Sequence, residues 1–134
     1  MAMEYPGYSV YKGEPSEEKI LEDTEAMYDY LIHELEFEPK NIILFGRSIG
    51  SGPATWLASQ KEVGILALMS AFTSIRGVVR DLAGNFLQYL IKERFNNLEN
   101  MAKVKCPAFI VHGLMDTFIS YKHSQDLYSK KFFY

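Results

Sequence analysis

Apolar positions along this chain follow two patterns, a helical spacing and short unbroken runs. From Ser16 to Pro39 apolar residues recur every three or four positions, which predicts an amphipathic helix with Ser16 as its N-cap. Unbroken apolar runs predict three strands buried on both faces, at 42–45, 65–69 and 108–111. Helical spacing predicts three further helices, at 49–59, 75–90 and 120–130.

The order of these elements predicts the fold class. Helices and strands alternate along the chain, which is typical of right-handed crossovers over a parallel sheet. We therefore expect an α/β fold in which a parallel sheet carries helices on both faces. The length of 134 residues fits a single domain, residues 1–134.

Composition and charge exclude several classes of function. Fourteen Lys and Arg against 17 Asp and Glu give a net charge of −3, which argues against a nucleic-acid partner. The longest stretch without a charge is 13 residues, 63–75, whereas a transmembrane helix needs about 20. Cys106 is the only cysteine, so the chain has no internal disulfide and no cysteine-built metal site. A reducing, cytoplasmic compartment and no signal peptide are expected.

The chemistry is concentrated at residues 46–50, which read G-R-S-I-G between a predicted strand and a predicted helix. This G-x-S-x-G pattern in that context is typical of a nucleophile on a sharp turn. We expect Ser48 in a strained backbone conformation, with Gly46 and Gly50 present because larger side chains would collide. The amide N–H of Ile49 would then donate to an oxyanion.

The glycine-rich stretch at residues 46–55 has three other interpretations. It could be a turn that only lets a helix pack on a strand. A phosphate-binding loop would need lysine after the glycine, where Ser51 stands. A dinucleotide fingerprint would need a third glycine, and residues 50–55 lack it.

A serine nucleophile needs a base and an acid that orients the base. Asp116 follows the third strand and is the candidate acid; the alternative is a loop aspartate that caps the last helix. The histidines fit the role of base poorly. His33 is expected at the surface, His112 in a structural role at the strand end, and His123 within reach of Asp116 but not of Ser48.

Several other residues have both a functional and a structural interpretation. Phe72, Phe86 and Tyr89 could line an acyl pocket, although their spacing also fits core packing. Arg47 could steer an anionic substrate or be a solvated charge. Cys106 is expected as a small core residue.

Together these residues resemble the central part of an α/β-hydrolase domain. The chain is most similar to the α/β-hydrolase-domain protein depalmitoylases and their relatives. The resemblance rests on residues 5–8 with Gly13 and 15–16, and on 41–50, 70–74, 106–107, 112–113 and Asp116. It covers nearly the whole chain but only about half of a family domain, whose early strands and last strand are missing here.

The resemblance implies a serine hydrolase (EC 3) that cleaves acyl thioesters or esters without a cofactor or metal. Ser48 would be the nucleophile and Asp116 the acid, and the substrate an acylated protein or a small acyl ester. Palmitoyl-protein thioesterase, esterase, lysophospholipase and serine aminopeptidase-like activities stay open. Peripheral membrane attachment is a family trait, although the family's cysteine-rich anchor has no counterpart here.

The family's catalytic histidine has no counterpart in this sequence, which makes the activity of the chain alone uncertain. The rival hypothesis is therefore a non-catalytic fragment or an interaction module built on a hydrolase core. A sheet without its early strands would also have exposed edges that invite self-association.

Overall fold

The structure is a computed structural model that describes residues 1–133. Three parallel strands are joined by helices in the order α1, β1, α2, β2, α3, α4, β3, α5. The strands are β1 Ile43–Arg47, β2 Ile65–Met69 and β3 Ala108–Val111. The helices are α1 Glu17–His33, α2 Ser51–Gln60, α3 Ile75–Ala83, α4 Asn97–Met101 and α5 Tyr121–Phe133, with short 3₁₀ turns at Pro39–Asn41, Ser48–Gly50 and Leu87–Leu90. The predicted α/β class with a parallel sheet is confirmed.

The first helix begins where the sequence predicts. The hydroxyl of Ser16 accepts a hydrogen bond from the backbone N–H of Lys19 at 3.1 Å, as expected of an N-cap. The helix ends at His33, earlier than the apolar spacing suggests, and Glu36 then takes a left-handed conformation with φ of +54°. A left-handed residue just beyond a helix is a common way for the chain to leave it.

The third helix is shorter than predicted. Helical spacing continues to residue 90, but α3 ends at Ala83 because Gly84 has φ of +88°. Phe86 and Tyr89 lie beyond this break and are exposed. The sequence also gave no sign of α4, a five-residue helix that the side chain of Asn96 caps.

The sheet order β1-β2-β3 places β2 at the centre, with Leu44 paired to Leu66 and Leu66 to Ala108. The side chains of one face pack into the main core beneath α1, α2, α4 and α5. The largest fully buried residues of this core are Leu66, Leu68, Met101 and Leu127.

The opposite face of the sheet is open within residues 1–133. It carries exposed apolar side chains, namely Ile43, Phe45, Ile65, Met69, Phe109 and Val111. Unbroken apolar runs predict strands that are buried on both faces of the sheet. Within the described residues, helices cover only one of the two faces. The same alternation of burial along each strand follows from the pleat, which turns successive side chains to opposite faces.

Candidate active site

Ser48 lies at a sharp turn between β1 and α2. It follows the last residue of β1 directly, and its φ of +49° is in the left-handed region that residues with a side chain rarely adopt. Such a conformation costs on the order of 1–3 kcal/mol and is enriched at functional sites. Four other non-glycine residues of the described chain also adopt it, namely Ser9, Glu36, Ser70 and Phe95. The hydroxyl of Ser51 holds the turn by donating to the carbonyl oxygen of Ser48 at 2.6 Å. The strained backbone predicted for Ser48 is confirmed.

The two flanking glycines differ in their steric role. A Cβ atom on Gly46 would lie 2.6 Å from the carbonyl oxygen of Gly50 and 2.9 Å from the Cβ of Ala54, so glycine is required there. A Cβ on Gly50 would meet only the hydroxyl of Tyr5 at 3.7 Å, which is an ordinary contact. The predicted collision at Gly50 is therefore wrong, because the added atom makes only this ordinary contact.

Alanine substitutions should separate these two roles. We expect Gly46→Ala to lower the free energy of unfolding by roughly 1–3 kcal/mol, because the new methyl group meets backbone that has no room to move. Gly50→Ala should leave it unchanged or slightly higher, since alanine favours helical φ and ψ over glycine. Urea unfolding of both variants tests this, and equal losses would contradict the steric difference.

Ile49 follows Ser48 in the first turn of the helical segment. Backbone N–H groups of a first turn have no acceptor within the helix, so that of Ile49 is available to a ligand. The backbone at Ile49 is therefore suited to donate a hydrogen bond to an oxyanion. The role of Ile49 as that donor stays a prediction.

Asp116 lies in the loop after β3 and is held by backbone donors. Its Oδ1 accepts hydrogen bonds from the N–H groups of Phe118 at 3.0 Å and Ile119 at 2.9 Å. These bonds, with a further one from Ser70, hold the pKa of the carboxyl below its usual range, so Asp116 is a carboxylate at neutral pH. The alternative prediction, that Asp116 caps the last helix, is correct only in part. Asp116 accepts from the turn that precedes α5 and not from the helix itself.

Ser48, Ser70 and Asp116 belong to the same rim of the sheet. Ser48 follows β1, Ser70 follows β2, and Asp116 comes five residues after the end of β3. The carboxyl ends of parallel strands meet at one edge, and Ser70 lies close enough to Asp116 to help lower the pKa of its carboxyl. The sequence analysis assigned no role to Ser70; its position directly after the central strand was the available signal.

The side chains of His112 and His123 are buried and make structural contacts. His112 Nδ1 lies 2.6 Å from the Ser124 hydroxyl, and its Nε2 lies 2.7 Å from the carbonyl oxygen of Ile119. Both ring nitrogens are thus occupied, which agrees with the structural role predicted for His112. Asp116 Oδ2 lies 3.6 Å from the same Nε2, which is farther than the carbonyl oxygen of Ile119.

His123 packs elsewhere in the fold. Its Nδ1 is 2.9 Å from the hydroxyl oxygen of Thr73, and its Nε2 is 3.3 Å from Asp81 Oδ2. Burial lowers the pKa of this imidazole and favours its neutral form. The expected approach of His123 to Asp116 is not what the structure shows. His33, the last residue of α1, is exposed, as predicted.

No hydrogen bond joins a histidine ring to Ser48 in the part of the chain that the structure describes. Ser48 and Asp116 thus share one rim of the sheet, and no ring of His33, His112 or His123 is hydrogen-bonded to Ser48 in residues 1–133.

Comparisons with known proteins find relatives named for the α/β-hydrolase domain. The α/β-hydrolase domain-containing protein aho-3 of Caenorhabditis elegans is 32% identical over 127 residues, which is 95% of this chain and 37% of the relative. The α/β-hydrolase domain-containing protein 17C of Xenopus tropicalis is 33% identical over 128 residues, covering 95% of this chain and 40% of the relative. The esterase domain of a Rhodothermus marinus protein superposes with a TM-score of 0.62 at 19% identity, over 82% of this chain and 52% of that structure.

The chain has part of the α/β-hydrolase fold and is similar in sequence to α/β-hydrolase domain-containing proteins. It spans about two fifths of the length of the curated relatives described above. No family model matches the sequence. The predicted resemblance to α/β hydrolases is confirmed, and the likeness to the esterase domain is one of fold.

One cavity of the described chain borders the predicted site only at Gly50. It has a volume of about 510 Å³ and lies beside β1, between the N-terminal residues, α1 and α2. Its lining is largely apolar and includes Met3, Met27, Phe45 and Pro53, but neither Ser48 nor Asp116.

The residues proposed for an acyl pocket do not form one in the described chain. Phe72 is 2% exposed and belongs to a core cluster, so the core-packing alternative holds for it. Phe86 and Tyr89 are exposed and do not line the cavity beside β1. Arg47 is exposed beside Ser48, and Cys106 packs against the core, where burial raises the pKa of its thiol.

None of the helices within residues 1–133 has the length and hydropathy that crossing a bilayer requires.

Proposed function

We propose that this chain supplies the nucleophile and the acid of a serine hydrolase that cleaves acyl thioesters or esters. The observation that carries the proposal is the left-handed backbone of Ser48 at the turn between β1 and α2. The sequence relatives with the α/β-hydrolase name support a hydrolase at the level of the family. The acylated protein or small acyl ester is the substrate class that the resemblance favours.

The proposed reaction begins at the Ser48 hydroxyl. A base takes its proton while Oγ attacks the acyl carbonyl, and the N–H of Ile49 donates to the oxyanion that forms. The bond to the thiol or alcohol then breaks, and that leaving group takes the proton from the base. Water hydrolyses the resulting acyl-serine ester by the same steps, which frees Ser48.

Asp116 is suited to the role of the acid in this scheme. Its backbone hydrogen bonds keep it ionised and fix its position, so a histidine placed between it and Ser48 would be oriented and stabilised as the imidazolium. The histidine itself is absent from the described residues. Loss of one triad member typically lowers the rate by about 10⁴–10⁶-fold, so we propose a very slow reaction for the chain alone.

Added imidazole provides a direct test, because it replaces the missing side chain. We expect release of thiol from a long-chain acyl thioester to be faster with the parent chain than with Ser48→Ala, and the difference to grow as imidazole is added. Ser9→Ala is the matched control, since Ser9 is exposed and also left-handed, with φ of 48°. Equal rates for parent and Ser48→Ala at every imidazole concentration would refute hydrolysis by this chain.

A second candidate function is a non-catalytic interaction module. Two observations favour it: the ring nitrogens of His112 are occupied by structural partners, and one face of the sheet is open and apolar. Equal rates in the imidazole experiment would support this candidate.

A further inference from the structure

A buried network of polar side chains adjoins the turn that holds Ser48. Its two members, Ser51 at the start of α2 and Asn97 at the start of α4, are both 0% exposed. The Ser51 hydroxyl donates to the carbonyl oxygen of Ser48 at 2.6 Å, and Asn97 Nδ2 donates to Ser51 Oγ at 3.2 Å. The same Nδ2 donates to the carbonyl oxygen of Phe72 at 2.9 Å. Asn97 therefore joins the turn after β1 to the loop after β2.

The hydrogen atoms of this network can be arranged in one way only. The carbonyl oxygens of Ser48 and Phe72, at its two ends, accept hydrogen bonds and cannot donate them. The Ser51 hydroxyl therefore donates its one hydrogen to Ser48 and accepts from Asn97, whose Nδ2 uses both of its hydrogens. Neighbouring hydrogen bonds in such a chain strengthen each other. The Asn97 amide thus fixes the direction of the hydroxyl that holds the Ser48 turn.

The backbone around Asn97 is held against both the loop after β2 and α2. The N–H of Leu98 donates to the carbonyl oxygen of Thr73 at 3.1 Å. Phe95 has φ of +49°, and its ring lies 2.5 Å from the place that a Cβ on Gly52 would take. The absence of a side chain on Gly52 therefore lets the segment before α4 lie close against the first turn of α2.

Packing alone does not account for an asparagine at position 97. Its Oδ1 is buried and has no hydrogen-bond donor among the described residues. Burial of an unpaired carbonyl oxygen is unfavourable, whereas leucine would fill a similar volume without a polar group. What asparagine supplies and leucine does not is the Nδ2 donor, and one of its two bonds leads to the turn at Ser48.

We propose that Asn97 is a positioning residue of the active site, which acts through Ser51 to hold Ser48 in its left-handed conformation. This inference rests on the proposed function of Ser48 as the nucleophile. A left-handed serine is strained and relaxes toward more favourable φ and ψ when the groups that hold it are removed. A displacement of about 1 Å at a reacting group can lower a rate about 100-fold.

A double-mutant cycle on the rate at which a fluorophosphonate labels Ser48 tests the link. Asn97→Leu removes the amide, and Ser51→Ala removes the hydroxyl that carries its effect. We expect each variant to label roughly 10–100-fold more slowly per folded molecule. The double variant should label no more slowly than the slower single variant, because both changes act through the same bond to Ser48. Asn97→Asp, which replaces Nδ2 by an oxygen, serves if the leucine variant does not fold.

Leu127→Val is the matched control for a loss of stability alone. Leu127 is 0% exposed in the main core, lies on α5 and takes no part in the hydrogen-bonded network. The variant should unfold at a lower urea concentration and still label at the parent rate per folded molecule. Equal slowing by Leu127→Val would overturn the positioning role, since any loss of packing would then have the same effect.

The carbon chemical shifts of Ser48 in NMR spectra test the turn without any reaction, because they depend on φ and ψ. Asn97→Leu and Ser51→Ala should move them toward values typical of right-handed or extended backbone, and Leu127→Val should leave them unchanged. A parent chain that does not label at Ser48 would contradict the proposed function, while the shifts would still decide whether Asn97 holds the turn. Unchanged shifts or parent-rate labelling in the Asn97 variant, or a double variant slowed by the product of the single effects, would overturn the positioning role.

Discussion

Replacement of Phe72 by alanine is expected to lower the free energy of unfolding by about 3–5 kcal/mol. Phe72 is 2% exposed and packs in a cluster with Ile20, Val78, Phe95 and Ile119. Truncation would leave a cavity in this cluster, which lies next to the loops at the carboxyl edge of the sheet. Because small domains are stable by only about 5–15 kcal/mol, the loss is a large share of the total.

Tyr89→Ala is the matched control for this prediction, since Tyr89 shared the acyl-pocket interpretation but is 75% exposed. Its free energy of unfolding should stay within about 0.5 kcal/mol of the parent value. Urea unfolding measures both variants, and Phe72→Leu gives a milder test if the alanine variant does not fold. A loss for Tyr89→Ala as large as that for Phe72→Ala would contradict the assignment of Phe72 to the core and Tyr89 to the surface.

The sequence predicted the fold well where apolar pattern and backbone preference agree. The bounds of β2 and β3 match the apolar runs, and Ser16 caps α1 as its residue type favours. Prediction was poorer where one residue overrides the pattern. Gly84 ends α3 although apolar residues continue at helical spacing, and five-residue α4 is too short to have a period.

The sequences of the strands did not allow us to predict which faces of the sheet are covered by other segments. An unbroken apolar run is compatible with burial on both faces, but what lies over each face depends on segments elsewhere in the chain. Within residues 1–133 the exposed Phe45 and Phe109 show that one face lacks this cover.

The candidate site was predicted in part for physical reasons that differ between its residues. The turn at Ser48 follows from a local pattern, because a strand, a G-x-S-x-G sequence and a helix constrain the backbone together. Glycine is needed at Gly46 because α2 packs closely against β1, whereas Gly50 has room for a side chain. This difference depends on the packing and not on the motif. Likewise, Ser70 can influence the pKa of Asp116 only because β2 lies beside β3 in the sheet.

Ser48→Ala is expected to abolish covalent labelling of the folded chain by a fluorophosphonate probe. The probe phosphonylates a serine whose oxygen is accessible and whose oxyanion donor is in place, and we propose that Ser48, half-buried at the turn between β1 and α2, meets both conditions. An oxyanion hole and binding alone retain about 10³–10⁴-fold acceleration when a triad member is missing, so labelling should be slow but measurable. Ser9→Ala, an equally left-handed and exposed serine, should label as the parent does.

Peptide mass spectrometry of the labelled parent chain tests the central claim most directly, because it identifies the serine that carries the phosphonate. We predict an adduct on the peptide that contains Ser48, dependent on the native fold and lost in urea. An adduct on another serine, or none on a chain shown to be folded, would contradict the account of Ser48 as a nucleophile.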